Sequence, residues 1–209
     1  ILRQSPVSFK TGTVKTEERN FWPVVLEFEN EDSGQYLVDL SHVCRWDIQD
    51  SDLGKFKPAG VGIPSKPGES ILSGEVLINR MNRIQASIWQ FAKETPEFPD
   101  ESAYTDTSEA TVALAIMGDK VFSILEKLTS LDFLDPKKKA PFLLQGPMSH
   151  VPCQIIVLSK EEGKQGLIVS CSRGYAQSMV ESLLHAGEEF ELTPAGENLF
   201  KSWIELLNK

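Results

Sequence analysis

Apolar and polar positions alternate through much of the first hundred residues. Residues 22–28 place Val24, Leu26 and Phe28 on one face, the period-two pattern of a half-buried strand. Residues 30–34 are polar and turn-forming, and 35–40 return as a second strand. A third short strand is expected at 43–48. Glycine and proline punctuate 54–74 too densely for regular structure. Strands resume at 75–79 and 84–91. The polar stretch 93–107, with Pro96 and Pro99, reads as a linker.

The second half has cleaner patterns. In 111–117 Val112, Leu114 and Ile116 alternate with Ala113 and Ala115, so one face is bulky and the other small. That contrast suits a strand with a helix packed close against it. Asp119 is placed to cap a following helix whose stripe is Val121, Leu125 and Leu128. After a Pro-rich loop, 154–158 and 166–171 read as strands joined by a polar turn. Ala176, Met179, Val180, Leu183 and Leu184 then form a helical stripe. Thr193 and Pro194 suggest the start of a third helix burying Leu199, Phe200, Trp203 and Leu206. The order strand, helix, strand, strand, helix is that of a split βαβ, or ferredoxin-like, unit. The division expected is 1–107, a strand-rich half, and 108–209, a split βαβ half, within one integrated domain of α+β class.

Composition narrows the function classes. With 41% hydrophobic and 24% charged residues in 209, the chain has the means to bury a core, which excludes disorder and coiled coil as whole-chain readings. No apolar run reaches a membrane-spanning length, so no membrane association is expected. The chain opens on Ile1 rather than Met, which leaves room for an upstream stretch. A net charge of −9 repels phosphate backbones, and the one basic run, Lys137 to Lys139, reads as a solvated connector. Nucleic-acid binding is therefore not expected. Three widely spaced cysteines do not make a disulfide framework, and they point to a reducing cytoplasm.

Candidate chemistry is sparse. The glycines of 60–68 lack a following Lys-Ser/Thr, and the prolines among them remove amide donors a phosphate loop needs. Only His42, His150 and His185 are available as bases, and no Gly-x-Ser-x-Gly turn occurs. His185 falls at a helix C-terminus, where an imidazolium suits the dipole. His42-x-Cys44 and His150-x-x-Cys153 together offer two His and two Cys, a tetrahedral zinc donor set. Their spacing matches no zinc module, and cysteines buried as small hydrophobes are the favoured reading.

Three stretches resemble the aminomethyltransferase (T-protein) family of the glycine cleavage system. Tyr36-Leu-Val-Asp39-Leu-Ser41-His42-Val43 is similar to its early Asp-Leu-Ser-His-Met-Gly-Lys segment. Ala113-Leu-Ala-Ile-Met-Gly118-Asp-Lys-Val-Phe-Ser-Ile-Leu125-Glu-Lys-Leu128 resembles its strand ending in Gln-Gly-Pro and the helix after it. Residues 166–187, then Leu192-Thr-Pro194-Ala-Gly196, resemble the later strand, helix and Leu-x-Pro-x-Gly turn. Within the family, Ala59-Gly-Val-Gly-Ile-Pro64-Ser-Lys-Pro67-Gly68, followed by a strand containing Arg80, is similar to the small gamma-type subunit of heterotetrameric sarcosine oxidase. The likeness covers most of residues 35–205.

The resemblance implies two ferredoxin-like halves around a central channel, without the C-terminal β-barrel of T-proteins. That channel holds tetrahydrofolate in T-proteins, and the positions expected to line it here are His42, Val43, Arg80, Gln90 and Ile168. The folate site itself is not carried over. The acidic Asp-Asp loop corresponds to residues 68–76, which contain no Asp. Ile168 stands where the family's pterin-binding Glu would be, and Cys44 replaces a glycine. A pterin edge facing Ile168 loses charged-acceptor hydrogen bonds worth roughly 1.5–3 kcal/mol. The resulting expectation is no catalytic residue and no cofactor. A non-catalytic accessory subunit docking onto a larger oxidoreductase or folate-using partner fits that, with Trp22, Trp46 and Trp89 as its anchors. The alternatives are a tetrahydrofolate-binding, aminomethyltransferase-like protein of one-carbon metabolism, and a metal module on His42, Cys44, His150 and Cys153.

Overall fold

The computed structural model describes residues 2–209. The chain opens with a hairpin, β1 (Thr13–Arg19) and β2 (Trp22–Phe28). β3 (Tyr36–Asp39) and β4 (Cys44–Gln49) follow, then β5 (Ser70–Ser73), β6 (Val76–Arg80), β7 (Gln85–Gln90) and β8 (Tyr104–Asp106). Next come β9 (Thr111–Met117), a single helical turn α1 (Val121–Leu125), and β10 (Phe142–Met148), β11 (Val151–Ser159) and β12 (Gly166–Ser172). The chain ends with α2 (Ala176–Gly187), β13 (Thr193–Ala195) and α3 (Glu197–Leu207).

These elements stack as layers around a six-stranded mixed sheet ordered β10-β11-β12-β9-β3-β13. Only the β13–β3 pair in it is parallel. The alternation of β9 divides its two faces. Val112, Leu114 and Ile116 join the cluster under α1 and α2, with Leu167 and Val169 of β12 beside them. Ala113 and Ala115 face the opposite cluster, which holds Trp89 and Phe91 of β7 and its flank, and Phe200 and Trp203 of α3. The small residues thus make room for a five-stranded antiparallel sheet, β5-β6-β7-β4-β8, and for α3. They do not admit the helix that follows β9, which lies on the bulky face. The far face of the five-stranded sheet is covered by the 53–63 loop through Leu53 and Phe56. No helix among the described residues is long and apolar enough to cross a membrane.

Several expectations are corrected by tertiary pairing. Residues 93–107 are not wholly linker, because β8 pairs with β4. β10 lies within the Pro-rich stretch and carries Pro147 opposite Pro152, which an edge strand tolerates where a central one does not. Thr193 and Pro194 do not start a helix. They pair in parallel with Tyr36 and Leu37, and α3 begins at Glu197 after Gly196. A Cβ on Gly196 would lie 2.2 Å from the Leu26 carbonyl carbon, so the close approach of β2 demands glycine there. Asp119 accepts from the Gly163 amide at 3.0 Å instead of capping α1. Leu206 is exposed, and Ile204 takes the buried place expected for it.

Trp22, Trp46 and Trp89 are not uncovered, being 3%, 4% and 2% exposed. The guanidinium carbons of Arg3 and Arg173 lie 6.0 and 5.8 Å from the Trp22 ring centroid, and Trp46 meets Phe98 and Tyr104 edge to face. Trp89 lies under Arg45, 5.6 Å from its guanidinium carbon.

Arg45 is the most consequential residue absent from the sequence reading. It is 2% exposed and donates to the carbonyls of Leu40 (3.1 Å), Val43 (3.0 Å), Ser108 and Thr111 (2.8 Å). It therefore joins β4 of one sheet to the exit of β3 and the entrance of β9 in the other. Burial pushes its pKa down to about 10, while Asp39, Cys44 and Asp106 oppose the shift, so it stays charged at neutral pH. Replacing Arg45 with Leu removes the side-chain donor to the Val43, Ser108 and Thr111 carbonyls, at about 1–3 kcal/mol for each one left unrelieved, while the Leu40 carbonyl keeps the Val43 amide. Urea unfolding of Arg45→Leu is expected to show a loss of at least roughly 3 kcal/mol. A loss no larger than that of an ordinary surface substitution would refute the bridging role.

Candidate functional site

The segment after β3 belongs to the Tyr36–Val43 stretch that resembles the T-protein family, and its geometry follows from Asp39. The Asp39 Oδ1 atom accepts from the Ser41 amide at 2.9 Å and its hydroxyl at 2.5 Å, turning the chain sharply out of the sheet. Oδ2 accepts from the Ser5 hydroxyl, which ties the N-terminal segment over the turn. The turn delivers His42 toward α3, where its Nε2 lies 3.0 Å from Glu197 Oε1.

Glu197 is the first residue of α3 and is 3% exposed. Arg19 Nη1, from the end of β1, lies 2.8 Å from its Oε1 and 2.6 Å from its Oε2. Lys201, one turn along the helix, is 4.0 Å away. Burial is the largest single influence on this carboxyl and raises its pKa. The hydrogen bond and charge of His42, with Lys201 and Arg19, together outweigh burial and hold it below the ordinary 4.5. A carboxylate at a helix N-terminus also opposes the positive end of the dipole.

Two cavities meet at His42. The larger, about 350 Å³, lies beneath the N-terminal segment, with Val7, Phe9, Trp22 and Phe28 as apolar walls and Asp39 and His42 as its polar corner. The smaller, about 20 Å³, has Arg19, Cys44, Lys93 and Glu197 around it. The acid–imidazole pair has no activated nucleophile beside it. Burial, the largest cause, pushes the Cys44 thiol up to about 11, and thiolate chemistry is suppressed. The arrangement is a latch among β1, α3 and the turn after β3.

The other expected site residues disperse. Val43 and Ile168 do come together, in the apolar cluster between the two sheets, where Ile168 is fully buried. Leu77, Trp89, Leu143 and Ile156 belong to the same cluster. Gln90 is buried at the end of β7, opposite Cys44 and Val76. Arg80 turns to the surface loop, donating to the carbonyls of Asn82 at 2.7 Å and of Arg83. The proposed metal donors do not gather. His42 pairs with Glu197, Cys153 faces Cys171 across β12, and His150 occupies the β10–β11 turn at φ 67°. Among the described residues no three His, Cys, Asp or Glu side chains are grouped as metal ligands. His185 is solvent-exposed in the last turn of α2, beside Glu188.

The sequence reading also missed Glu197 and Arg19, which lie 155 and 178 residues from their partners His42 and Glu197. A glutamate directly after the Leu-x-Pro-x-Gly turn was the one available signal.

A mixed six-stranded sheet backed by an antiparallel one and a few helices defines an α+β protein of the T-protein fold. No protein-family model matches the chain, and no curated protein matches it in sequence. Solved structures do match in shape. The glycine cleavage system aminomethyltransferase T from Bartonella henselae superposes with a TM-score of 0.65 at 15% identity, over 100% of this chain and 62% of that one. A chain of the heterotetrameric sarcosine oxidase from Corynebacterium sp. U-96 superposes with a TM-score of 0.62 at 15% identity, over 75% of this chain and 85% of that one. The present chain and the sarcosine oxidase chain are thus of comparable length.

The depressed pKa of Glu197 fixes the sign of its contribution. A carboxyl whose folded value lies below its unfolded value stabilises the fold above the unfolded value, and that contribution is lost as pH falls through the folded one. Glu197→Gln is expected to cost roughly 1.5–3 kcal/mol at pH 7. Its deficit against the parent protein should shrink below about pH 4. Urea unfolding across pH 3–7, taken as about one measurement per unit, checks this. A deficit that does not change with pH would remove the latch from the account.

Proposed function

We propose that this chain is a non-catalytic accessory subunit that keeps the T-protein fold and docks onto a larger protein. The observation that carries the reading is the content of the space between the two sheets. Where the resemblance leads one to expect a folate channel, Val43, Leu77, Trp89, Ile156 and Ile168 pack into one apolar cluster. Ile168, standing where the family has its pterin-binding acid, is fully buried there. A fully buried aliphatic side chain contributes about 1.5–3 kcal/mol to the fold, so the cluster acts as core.

The likeness to a chain of a heterotetrameric oxidase supports the subunit reading, because that neighbour works within an assembly. The β1–β2 hairpin supports it too. It is a two-stranded sheet of its own, with β1 largely exposed along its outer side. Val14 on β1 is 59% exposed, and Phe21 at the hairpin tip is 55% exposed with φ 66°, a left-handed conformation uncommon for an aromatic residue. Exposed apolar side chains on a projecting hairpin are the features a partner surface uses. The partner is expected to be a protein, with neither nucleic acid nor membrane involved.

The second reading, tetrahydrofolate binding with aminomethyltransferase-like activity, rests on the 350 Å³ cavity at Asp39 and His42, which has the volume of a small-ligand site. Asp39 is already engaged by Ser5 and Ser41, and His42 by Glu197, which leaves few groups to hold a pterin.

Two measurements separate these readings. Tagged protein purified from its own cells should retain one larger polypeptide in constant ratio, and Val14→Ser with Phe21→Ser should lose it while remaining folded. Calorimetric titration of the isolated chain with tetrahydrofolate under reducing conditions should give no one-to-one isotherm. A monomer that never co-purifies with another polypeptide would sink the subunit reading, and a micromolar folate isotherm would promote the second.

A further inference from the structure

β11 and β12 are antiparallel neighbours, and their register sets Cys153 directly opposite Cys171. Directly opposed residues in such a pair have Cα atoms about 4.5–5.5 Å apart. A disulfide spans roughly 4.4–6.8 Å between Cα atoms. The sheet therefore already holds the two residues at bonding range. Both side chains lie on the face under α1 and α2, 5% and 4% exposed. Cys153 donates to the Val151 carbonyl at 3.3 Å. The pair sits at the rim of the sheet. Cys153 is close to the β10–β11 turn at Ser149 and His150, and Cys171 precedes Ser172, the exposed last residue of β12. Cys44 belongs to the other sheet, on β4, and has no cysteine opposite it.

We propose that Cys153 and Cys171 form a redox-modifiable dithiol that closes to a cross-strand disulfide. Cys171 lies one residue from the exposed Ser172 at the strand end, whereas the Cys153 thiol is held by the Val151 carbonyl, so Cys171 is the one that loses its proton to water and attacks first. With a small disulfide such as oxidised glutathione as oxidant, the Cys171 thiolate attacks one sulfur, forms a mixed disulfide and releases one glutathione thiolate. Cys153 loses its proton to water and attacks Cys171 Sγ, releasing the second. Two protein thiols are oxidised by two electrons, and one small disulfide is reduced to two thiols. The inference is independent of whether the chain docks onto a partner or holds a ligand.

The intact protein, treated either with oxidised glutathione or with dithiothreitol, is to be unfolded, alkylated and digested with trypsin. Lys160 and Lys164 lie between the two cysteines, so they fall on separate peptides and a disulfide appears as a linked pair. The linked pair is expected after oxidation, with Cys44 still alkylated. Cys44→Ser should keep the link and Cys171→Ser should abolish it. The oxidised parent protein should melt roughly 6–12 °C higher than the reduced one, and Cys153→Ser should show no such shift. Equal alkylation of Cys153 and Cys171 under both treatments would overturn the proposal. So would a glutathione adduct that persists on either residue, or a link that runs to Cys44.

Discussion

Two sheets meet through one guanidinium. The turn out of β3 and the start of β9 both present backbone carbonyls to the seam. Arg45 answers several of them at once from β4. A planar group with five donors suits that task, whereas a lysine ammonium offers three donors from a single point. Trp89 closes the other side of the group and keeps water from competing. The position of His42 depends on this bridge, because the Leu40 and Val43 carbonyls that Arg45 holds flank it on both sides. The latch to Glu197 and Arg19 forms only once that turn is set.

Much of the fold was legible where burial is one-sided. The alternation in Trp22–Phe28 and the stripe of α2 follow from contact with a single apolar layer, and the bulky–small alternation of Thr111–Met117 from two buried faces with different neighbours. The strands left unread were at sheet margins. β1 is Thr-Val-Lys-Thr-Glu-Glu-Arg, a run with no apolar face, and it exists because β2 offers a ladder to pair with. β10 contains Gly146 and Pro147, residues that argue against a strand unless its outer side is free. Thr193-Pro194 carries a good helix-start signal, but the parallel ladder to β3 takes those residues first. For the site, the Asp39–Val43 segment was found through a family likeness. Its partners were not, since ion pairs across such sequence distances leave no local pattern.

The space between the two sheets is apolar. A ligand channel requires unfilled volume and polar groups kept apart from one another, both of which oppose folding. Trp89, Ile156 and Ile168 share one apolar cluster between the two sheets, which makes that space a source of cohesion. Of the polar groups nearby, Asp39 is engaged by Ser5 and Ser41, and His42 by Glu197.

The four tryptophans fall in different parts of this arrangement. Trp22 lies in the hairpin near two guanidinium groups, and Trp46 stands against the aromatic rings beside β8. Trp89 marks the seam under Arg45, and Trp203 presses α3 onto β12, where a Cβ on Gly166 would come within 2.4 Å of its ring. Indole emission depends on local polarity and on nearby charge, so each ring has its own optical environment. The molecule carries four intrinsic reporters: hairpin, outer sheet, seam and terminal helix. Single-tryptophan versions would let light follow each layer separately as the protein loosens.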